Sequence, residues 1–366
     1  MKTRVLIVDD SAVVRRLLTD LLSADPDIEV VGSAANAALA LAKIKQAPPD
    51  VVTLDVEMPD VSGLELLVEI RKIAPRLPVI MFSALTQRAA ETTLDALARG
   101  ATDYVTKPLG AASREEAAEH VRAQLIPKIK ALGPRAPAGA MALMAQRSAA
   151  IDVRRTYGPI EVLAIGTSTG GPNALAALFR EIPADLQVPV VIVQHMPPLF
   201  TQLLGERLSN DCPLTFSEAK HGELLRPGHA YIAPGDHHMR VVRSGGSVSV
   251  AIDQAAHENS CRPAVDVLFR SVATVYEGRS LAVILTGMGQ DGLKGCELIH
   301  AQGGQIIVQD EATSVVWGMP GFVARAGLAH KVLPLPEIAP EIVRRIMSAP
   351  TKLTGSSKSG ERHHVR

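Results

Sequence analysis

The fold of this chain is decided by the stretch Glu161-Val162-Leu163-Ala164-Ile165-Gly166-Thr167-Ser168-Thr169-Gly170-Gly171-Pro172. An apolar run that leads into small residues and then a helix is the way α/β folds place a reactive group at the carboxyl end of a strand. Ser168 has a glycine two positions before it and another two positions after it, so backbone can approach the serine closely. Pro172 suits the first turn of the helix that follows. The stretch therefore predicts a strand, a turn that carries Ser168, and a helix.

Two later segments carry possible partners for this serine. The segment 190–197, VVIVQHMP, ends a predicted strand at His195, and the segment 281–292, LAVILTGMGQDG, ends another near Asp291. Because the carboxyl ends of parallel strands meet at one edge of a sheet, we expect a nucleophile, its general base and an orienting acid to converge there. The leading hypothesis is a Ser-His-Asp hydrolase.

Backbone N–H groups that can stabilise an oxyanion are predicted beside two glycine-rich turns, near Thr169 and near Met288. The sequence around Ser168 also matches the G-x-S-x-G pattern of α/β-hydrolases, in which the acid precedes the histidine. Here His195 precedes Asp291, which excludes that family. A phosphate-binding turn at a helix N-terminus is the remaining alternative for this loop.

Length and composition indicate a protein of two domains. The chain has 366 residues, of which 47% are hydrophobic, and its 38 Lys+Arg balance its 38 Asp+Glu. This neutrality gives no sign of nucleic-acid binding. The three scattered cysteines have no metal-ligand spacing and predict reduced thiols in a cytoplasmic protein. We expect neither a signal peptide nor a membrane-inserted segment.

We expect two doubly wound parallel-sheet α/β domains joined by a linker. Residues 1–122 alternate five short apolar runs with helical patterns, which predicts a flavodoxin-like domain. A linker is predicted over 123–158, a second, Rossmann-like α/β domain over 159–348, and a disordered tail over 349–366. Within the second domain, the glycines at 245–246 predict a β-hairpin.

Polar residues at the predicted strand ends of the first domain indicate a phosphoryl site. Asp9 and Asp10 close the first strand, Asp55 the third, Ser83 the fourth and Lys107 the fifth. Carboxylates gathered at one sheet edge repel one another unless a hard cation lies among them, and Mg²⁺ prefers such ligands. A carboxylate beside Mg²⁺ can attack a phosphoryl donor, while a lysine neutralises phosphoryl oxygens. Singly, each residue has an ordinary explanation such as helix capping, and only the joint pattern makes the prediction.

The segments that carry these five residues resemble response-regulator receiver domains. They are LIVDDS at 6–11, LDVEMP at 54–59, MFSA at 81–84 and VTKP at 105–108. The resemblance implies that Asp55 accepts a phosphoryl group from a histidine kinase and that Asp9 and Asp10 help to hold Mg²⁺. It also implies that Ser83 and Lys107 contact the phosphoryl group. Ser83 stands where many receivers carry threonine, and both residues supply a hydroxyl.

Six segments of the C-terminal half resemble the chemotaxis protein-glutamate methylesterases. They are GTSTGGP at 166–172, QHMP at 194–197, APGD at 233–236, CRPAVDVLF at 261–269, TGMGQDG at 286–292 and QDEATSVVWGMPG at 309–321. Ser168, His195 and Asp291 stand at the catalytic positions of that family. The resemblance implies hydrolysis of glutamate γ-methyl esters on methyl-accepting chemotaxis receptors, with release of methanol and deamidation of specific receptor glutamines. It implies no cofactor for the esterase reaction.

In this family the unphosphorylated receiver packs over the catalytic cleft, so we expect phosphorylation to shift a closed-to-open equilibrium. Two other functions remain open from the sequence. One is a receiver joined to a nucleotide-binding module that uses the loop 166–171, although this loop lacks the Lys-Ser/Thr ending of a P-loop. The other is an adaptor that docks receptors without turnover, against which the intact Ser168, His195 and Asp291 argue.

Overall fold

The computed structural model describes residues 1–108, 113–134 and 158–347, which form two α/β domains. The strands of the N-terminal domain are β1 (Thr3–Val8), β2 (Ile28–Ala34), β3 (Val51–Asp55), β4 (Val79–Ser83) and β5 (Asp103–Thr106). They form one parallel sheet in the order β2-β1-β3-β4-β5. Because β1 and β3 are neighbours and parallel, the carboxylates that follow or end them leave the sheet at one edge. The flavodoxin-like prediction is confirmed.

Helices cover both faces of this sheet. They are α1 (Ala12–Ser23), α2 (Ala37–Gln46), α3 (Gly63–Ile73), α4 (Gln87–Ala98) and α5 (Arg114–Leu132). Each follows a Ser, Thr or Asn whose side chain accepts a backbone N–H of the first turn, which satisfies a donor that has no partner inside the helix. At α3 this becomes a reciprocal capping box between Ser62 and Glu65.

The last helix of this domain passes through the boundary expected at residue 122. Val121, Leu125 and Ile129 on α5 are fully buried in the same apolar core as strand β1. Because this apolar face continues for several turns, the helix ends only at Leu132. The segment predicted as a linker from 123 is therefore helical, and part of the first domain, as far as Leu132.

The structure does not test two of the predicted segments. The linker beyond residue 134 and the disordered tail at 349–366 lie outside the described residues. Within the described ranges, none of the helices has the length and apolar character that crossing a membrane requires.

The second domain has a parallel sheet of seven strands. They are β6 (Val162–Thr167), β7 (Val190–Gln194), β8 (Thr215–Glu218), β9 (His229–Ile232), β12 (Ser280–Ile284), β13 (Gln305–Gln309) and β14 (Lys331–Leu333), in the order β14-β13-β12-β6-β7-β9-β8. The strands β10 (His238–Ser244) and β11 (Ser247–Asp253) pair antiparallel as a separate hairpin, which confirms the prediction at 245–246.

Strand β6 lies at the centre of the sheet, and all six of its residues are buried. Leu163 and Ile165 face one apolar cluster, while Val162 and Ala164 face the other, so helices cover both faces as in a doubly wound fold. These helices are α6 (Gly171–Arg180), α7 (Phe200–Asp211), α8 (Val265–Tyr276), α9 (Leu293–Ala301), α10 (Met319–Arg325) and α11 (Leu335–Met347). Strand β6 pairs with β7 on one side and β12 on the other, which sets the carboxyl ends of these three strands side by side.

The two domains touch through helix α4, which packs against α6 and α7. The rings of Tyr104 and Phe200 stack with their centroids 4.6 Å apart. Arg207 on α7 donates a hydrogen bond to the carbonyl of Leu94 and lies 3.8 Å from the Asp95 carboxylate. The contact therefore joins a helix of the N-terminal domain to the two helices that start nearest the carboxyl ends of β6 and β7.

Candidate active site

Strand pairing brings the three residues predicted from the second half of the sequence to one sheet edge. Thr167, directly before Ser168, is the register partner of Gln194, directly before His195. The N–H of Ser168 donates to the carbonyl of Thr286 at 3.1 Å, which ties the serine to the turn that leads to Asp291. Ser168 and His195, although distant in the chain, therefore follow directly on neighbouring strands.

His195 and Asp291 are hydrogen-bonded to each other. The Nε2 of His195 lies 2.8 Å from Oδ2 of Asp291, and both side chains are largely buried. The same oxygen accepts the N–H of Val265 at 2.6 Å, and Oδ1 accepts the N–H of Asp266 at 3.0 Å. These two N–H groups belong to the first turn of α8, where the helix dipole favours a negative charge.

The electrostatics of Asp291 follow from these contacts. Burial by itself raises the pKa of its carboxyl, but the hydrogen bond and charge of His195 and the backbone N–H donors of α8 lower the pKa below its usual value. A further hydrogen bond to Oδ1 comes from Nδ2 of Asn259 at 2.9 Å, and the same Nδ2 lies 2.9 Å from Asp266. Asp291 is therefore held ionised and oriented toward the imidazole.

The other ring nitrogen of His195 faces a thiol. Its Nδ1 lies 3.6 Å from Sγ of Cys261, and since Nε2 is engaged by Asp291, Nδ1 is the nitrogen left to act on a neighbouring hydroxyl. Burial lowers the pKa of His195, whereas the hydrogen bonds and charges of Cys261 and Asp291 raise it, so that these two residues favour the imidazolium that forms when Nδ1 takes up a proton. Within the described residues, no hydrogen bond joins the Ser168 hydroxyl to His195.

The glycines around Ser168 are required by close packing. Gly170 has φ +77°, a conformation that side chains rarely adopt, and it ends the turn before α6. A Cβ on Gly171 would lie 1.9 Å from Oε1 of Gln194, and a Cβ on Gly287 would lie 2.9 Å from Cβ of Ser168. The Gln194 amide donates to the carbonyl of Ser168 at 3.0 Å, which fixes the turn against the next strand.

The two backbone N–H groups predicted as oxyanion donors border Ser168. Among the described residues, the backbone N–H groups of Thr169 and Met288 have no hydrogen-bond acceptor. Thr169 is 2% exposed and follows Ser168, while Gly287 next to Met288 packs on Ser168. Both N–H groups thus belong to turns that border the serine.

Sequence reasoning missed two contributors to this site. Asn259 gave no signal, because it lies in a loop without a recognisable pattern and reaches Asp291 only through the fold. The sequence indicates only a reduced thiol at Cys261, whereas the structure places its Sγ beside His195. Its position directly before the Arg-Pro that starts the α8 region was the available clue.

The N-terminal domain gathers a second cluster at the carboxyl ends of its strands. The side chains of Asp9 and Asp55 are each 1% exposed, whereas Asp10 is exposed, and one oxygen from each of the three lies within 4.8 Å of the others. Nζ of Lys107 lies 2.8 Å from Oδ2 of Asp55 and 3.2 Å from Oδ2 of Asp9. Apart from this ion pair, no described donor reaches either Oδ2. Such buried, under-coordinated carboxylate oxygens fit a hard divalent cation.

Crowded carboxylates change the titration of this cluster. Burial, aided by the charge of Asp9, raises the pKa of Asp55 to about 6 despite the contact with Lys107. Burial also raises the pKa of Asp9. The ammonium of Lys107 is held charged, because the two carboxylates raise its pKa against the effect of burial.

Ser83 is in a different position from the other four predicted residues. It is fully buried, and its hydroxyl donates toward the carbonyls of Ala84 and Ala89 at 3.2 and 3.3 Å rather than toward Asp55. It accepts a hydrogen bond from Thr93 Oγ1 at 2.7 Å. Ser83 is thereby bonded to helix α4, the helix that contacts the second domain.

The fold and the two clusters define a class of protein: a response regulator, in which a receiver domain is joined to an α/β output domain. The response regulator receiver domain family matches residues 5–119, and the CheB methylesterase family matches residues 163–342. The chain is 53% identical over 94% of its length to a protein-glutamate methylesterase/protein-glutamine glutaminase of Trichodesmium erythraeum, and covers 99% of that protein. It is 52% identical over 94% of its length to one of Nocardioides, and covers 95% of it.

A solved structure agrees with the output domain. The CheB methylesterase catalytic domain of Thermotoga maritima superposes with a TM-score of 0.50 at 42% identity, covering 50% of this chain and 98% of that one. The chain belongs to the protein-glutamate methylesterase/protein-glutamine glutaminase family.

Proposed function

We propose that this chain hydrolyses glutamate γ-methyl esters on chemoreceptors, releases methanol, and deamidates specific receptor glutamines. The names of its relatives support the reaction type. The observation that carries the proposal is the buried His195–Asp291 hydrogen bond of 2.8 Å beside Ser168, at the carboxyl ends of adjacent strands. The free thiols are consistent with a cytoplasmic enzyme that acts on the cytoplasmic domains of chemoreceptors.

In the proposed mechanism, Ser168 is the nucleophile. Its hydroxyl passes its proton to Nδ1 of His195 as Oγ attacks the γ-carbonyl carbon, and Asp291 stabilises the imidazolium through Nε2. The tetrahedral oxyanion is stabilised by the N–H groups of Thr169 and Met288, which lack acceptors of their own.

The intermediate then collapses to a γ-glutamyl acyl-enzyme. The C–O bond to the methoxy group breaks, and His195 returns the proton, so that methanol leaves. Water attacks the acyl carbon with His195 again as the base, and Ser168 is regenerated. The same sequence on a glutamine side chain releases ammonia, which explains how one nucleophile serves both reactions.

We further propose that Asp55 accepts a phosphoryl group from a histidine kinase. Asp9, Asp10 and Asp55 would hold the Mg²⁺, which neutralises charge on the transferring phosphoryl group. Lys107 is positioned to contact a phosphoryl oxygen, because its ammonium already lies 2.8 Å from Asp55.

Ser83 provides a route from Asp55 to the output domain. Its hydroxyl is bonded to Thr93 on α4, and α4 carries the contact with α6 and α7. A phosphoryl group on Asp55 offers Ser83 a charged acceptor in place of the carbonyls of Ala84 and Ala89, and the loss of the hydrogen bond to Ala89 would weaken the contact of Ser83 with α4. The receiver would then release the helices that border the Ser168 and His195 turns, which shifts the closed-to-open equilibrium.

The test is methanol release from a methylated receptor fragment. The full chain is compared with Ser168→Ala and Asp55→Ala, each with and without a small-molecule phosphodonor and Mg²⁺. We expect release to require Ser168 and its stimulation to require Asp55. If no condition gives release, the chain is a binding protein, and titration with nucleotides and with receptor fragments becomes the next measurement.

A further inference from the structure

The Cys261–His195 contact is not used by the proposed reaction. Sγ of Cys261 lies 3.6 Å from Nδ1 of His195, the nitrogen that must take the proton of Ser168. Ligand atoms of His195, Cys261 and Asp291 lie within 4.8 Å of one another. A thiol and an imidazole nitrogen are both among the side-chain ligands that zinc sites use.

The separation of sulfur and nitrogen matches a metal-bridged pair. In tetrahedral zinc sites the Zn–S distance is about 2.3 Å and the Zn–N distance about 2.1 Å, which places the two ligand atoms about 3.6 Å apart. The observed separation in this chain is 3.6 Å. The separation of the two ligand atoms is therefore compatible with the coordination of one ion by both side chains.

The remaining contacts of His195 are those of a metal ligand. A zinc-bound histidine usually donates its second N–H to a carboxylate, which fixes the ring and strengthens the ligand. Nε2 of His195 is placed 2.8 Å from Asp291, and Asp291 is itself held by Val265, Asp266 and Asn259. The orienting shell of a His-ligated metal is thus already present.

The thiol is also held in place. Cys261 and Glu258 exchange two backbone hydrogen bonds of 2.9 and 3.1 Å, and both carboxylate oxygens of Glu258 lie 2.5 Å from the guanidinium of Arg270 on α8. Cys261 and His195 are nevertheless both partly exposed, so an ion from solvent can reach them.

We propose that His195 Nδ1 and Cys261 Sγ form an inhibitory site for a divalent cation that binds thiolate and imidazole, Zn²⁺. On binding, the thiol loses its proton to solvent and its sulfur and the imidazole nitrogen each donate an electron pair to the ion. Solvent or a substrate oxygen completes the coordination. Because Nδ1 is then occupied, it cannot accept the proton of Ser168, and ester hydrolysis stops until the metal is removed. The inhibition rests on the proposed function, whereas the metal binding does not.

Binding is tested with Co²⁺ on the full chain in the presence of excess Mg²⁺, which keeps the all-oxygen cluster of Asp9, Asp10 and Asp55 occupied. A thiolate ligand gives Co²⁺ an intense near-ultraviolet charge-transfer absorption that oxygen ligands do not give. We expect this band in the wild type and in Cys212→Ser, the control for another partly exposed cysteine, and its loss in Cys261→Ser. Absence of the band in the wild type, or its retention in Cys261→Ser, overturns the proposal.

Inhibition is tested by titrating methanol release with Zn²⁺ and then adding a chelator. Loss even of an outer-shell partner costs about tenfold or more in metal affinity, so we expect Cys261→Ser to need at least about tenfold more Zn²⁺ for half inhibition. Equal inhibition of both proteins contradicts an inhibitory role for this site. If no protein releases methanol, the proposed function fails, while the Co²⁺ spectrum still decides the metal site.

A measurement on the wild type alone covers a Cys261→Ser variant that does not fold. The native chain is treated with iodoacetamide with and without Zn²⁺, and alkylation at Cys212 and Cys261 is compared by peptide mass spectrometry. We expect Zn²⁺ to slow alkylation of Cys261 but not of Cys212. Unchanged alkylation of Cys261 is evidence against the site.

Discussion

Each of the two domains has a buried aspartate at the carboxyl edge of its parallel sheet, and the pKa values of these two aspartates are shifted in opposite directions. Asp291 receives N–H groups from the first turn of α8 and from His195, and its pKa is lowered. Asp55 has Lys107 as a partner but also Asp9 as a neighbour, and its pKa is raised to about 6. Hydrogen-bond donors of the fold surround the Asp291 carboxylate. Among the described residues, Oδ2 of Asp55 has only Lys107 as a partner, which fits the proposed Mg²⁺ site.

The largest expected loss of activity is that of a Ser168 variant. Ser168→Ala should lower the methylesterase kcat by about 10⁴-fold or more, because the nucleophile is lost. Thermal stability should not change, since the hydroxyl makes no hydrogen bond within the described residues. Methanol release is measured against Ser247→Ala, an exposed serine in the hairpin of the same domain. Retention of a tenth of the activity would remove Ser168 from the proposed role.

The carboxylates themselves are compared by the same substitution at each site. Asp291→Asn should lower kcat by about 10³- to 10⁴-fold, because an amide cannot stabilise the imidazolium or accept all of the surrounding N–H groups. Asp55→Asn should leave the unstimulated rate unchanged and abolish stimulation by phosphodonor and Mg²⁺. Methanol release under both conditions separates the two results. Similar losses of basal rate in both variants would contradict the division of roles.

The raised pKa of Asp55 makes the stability of the receiver depend on pH. The folded domain binds the proton more tightly than the unfolded chain, so this contribution is fully present below about pH 4 and is lost as pH rises through about 6. The shift from 3.8 to about 6 corresponds to a loss on the order of 2–3 kcal/mol.

Hydrogen exchange of β1 and β3 amides, measured in EDTA from about pH 4 to about pH 8 after correction for intrinsic rates, reports this loss. Asp55→Asn should weaken the pH dependence of the stability, because it removes the titrating carboxyl. Added Mg²⁺ should weaken it separately, because the cation compensates the negative charge of Asp55. A wild-type dependence that neither change alters would show that Asp55 is not its source.

The smallest expected effect tests the orientation of Asp291. Asn259 has φ +52°, so Asn259→Gly removes the side chain without straining the backbone. Loss of its hydrogen bond to Asp291 should lower kcat about tenfold with KM unchanged, because the residue orients the acid and does not touch substrate. Asn210→Gly, at an exposed position in α7, controls for the new glycine. A change in KM alone would assign Asn259 to substrate binding.

Sequence reasoning was most reliable where the signal is local. The alternation of apolar runs and helices predicted both parallel sheets, and the glycines at 245–246 predicted the hairpin. It was least reliable at the end of the first domain, where the boundary at 122 lies inside α5. The apolar face of Leu125 and Ile129 is a weak pattern in sequence, and only packing against β1 shows that it belongs to the core.

In the candidate sites, too, local sequence patterns predict some residues and contacts but not others. Ser168, His195 and Asp291 were found because each directly follows or lies just beyond a strand, and strand pairing then sets them side by side. Asn259 and Cys261 come from a loop whose course depends on contacts with α8, so no periodicity marks them. Ser83 was predicted beside the phosphoryl site, but its bond to Thr93 was not, because that bond needs the position of α4.

The sequence by itself determined the two α/β domains and the polar residues at the strand ends, because strand and helix formation depend on neighbours in the chain. Only the tertiary structure decided which nitrogen of His195 meets Asp291, 96 residues away, and which meets Cys261, 66 residues away. It also decided the opposite pKa shifts of Asp55 and Asp291. These properties depend on burial and on donors contributed by distant segments, and such distances exist only once the chain has folded.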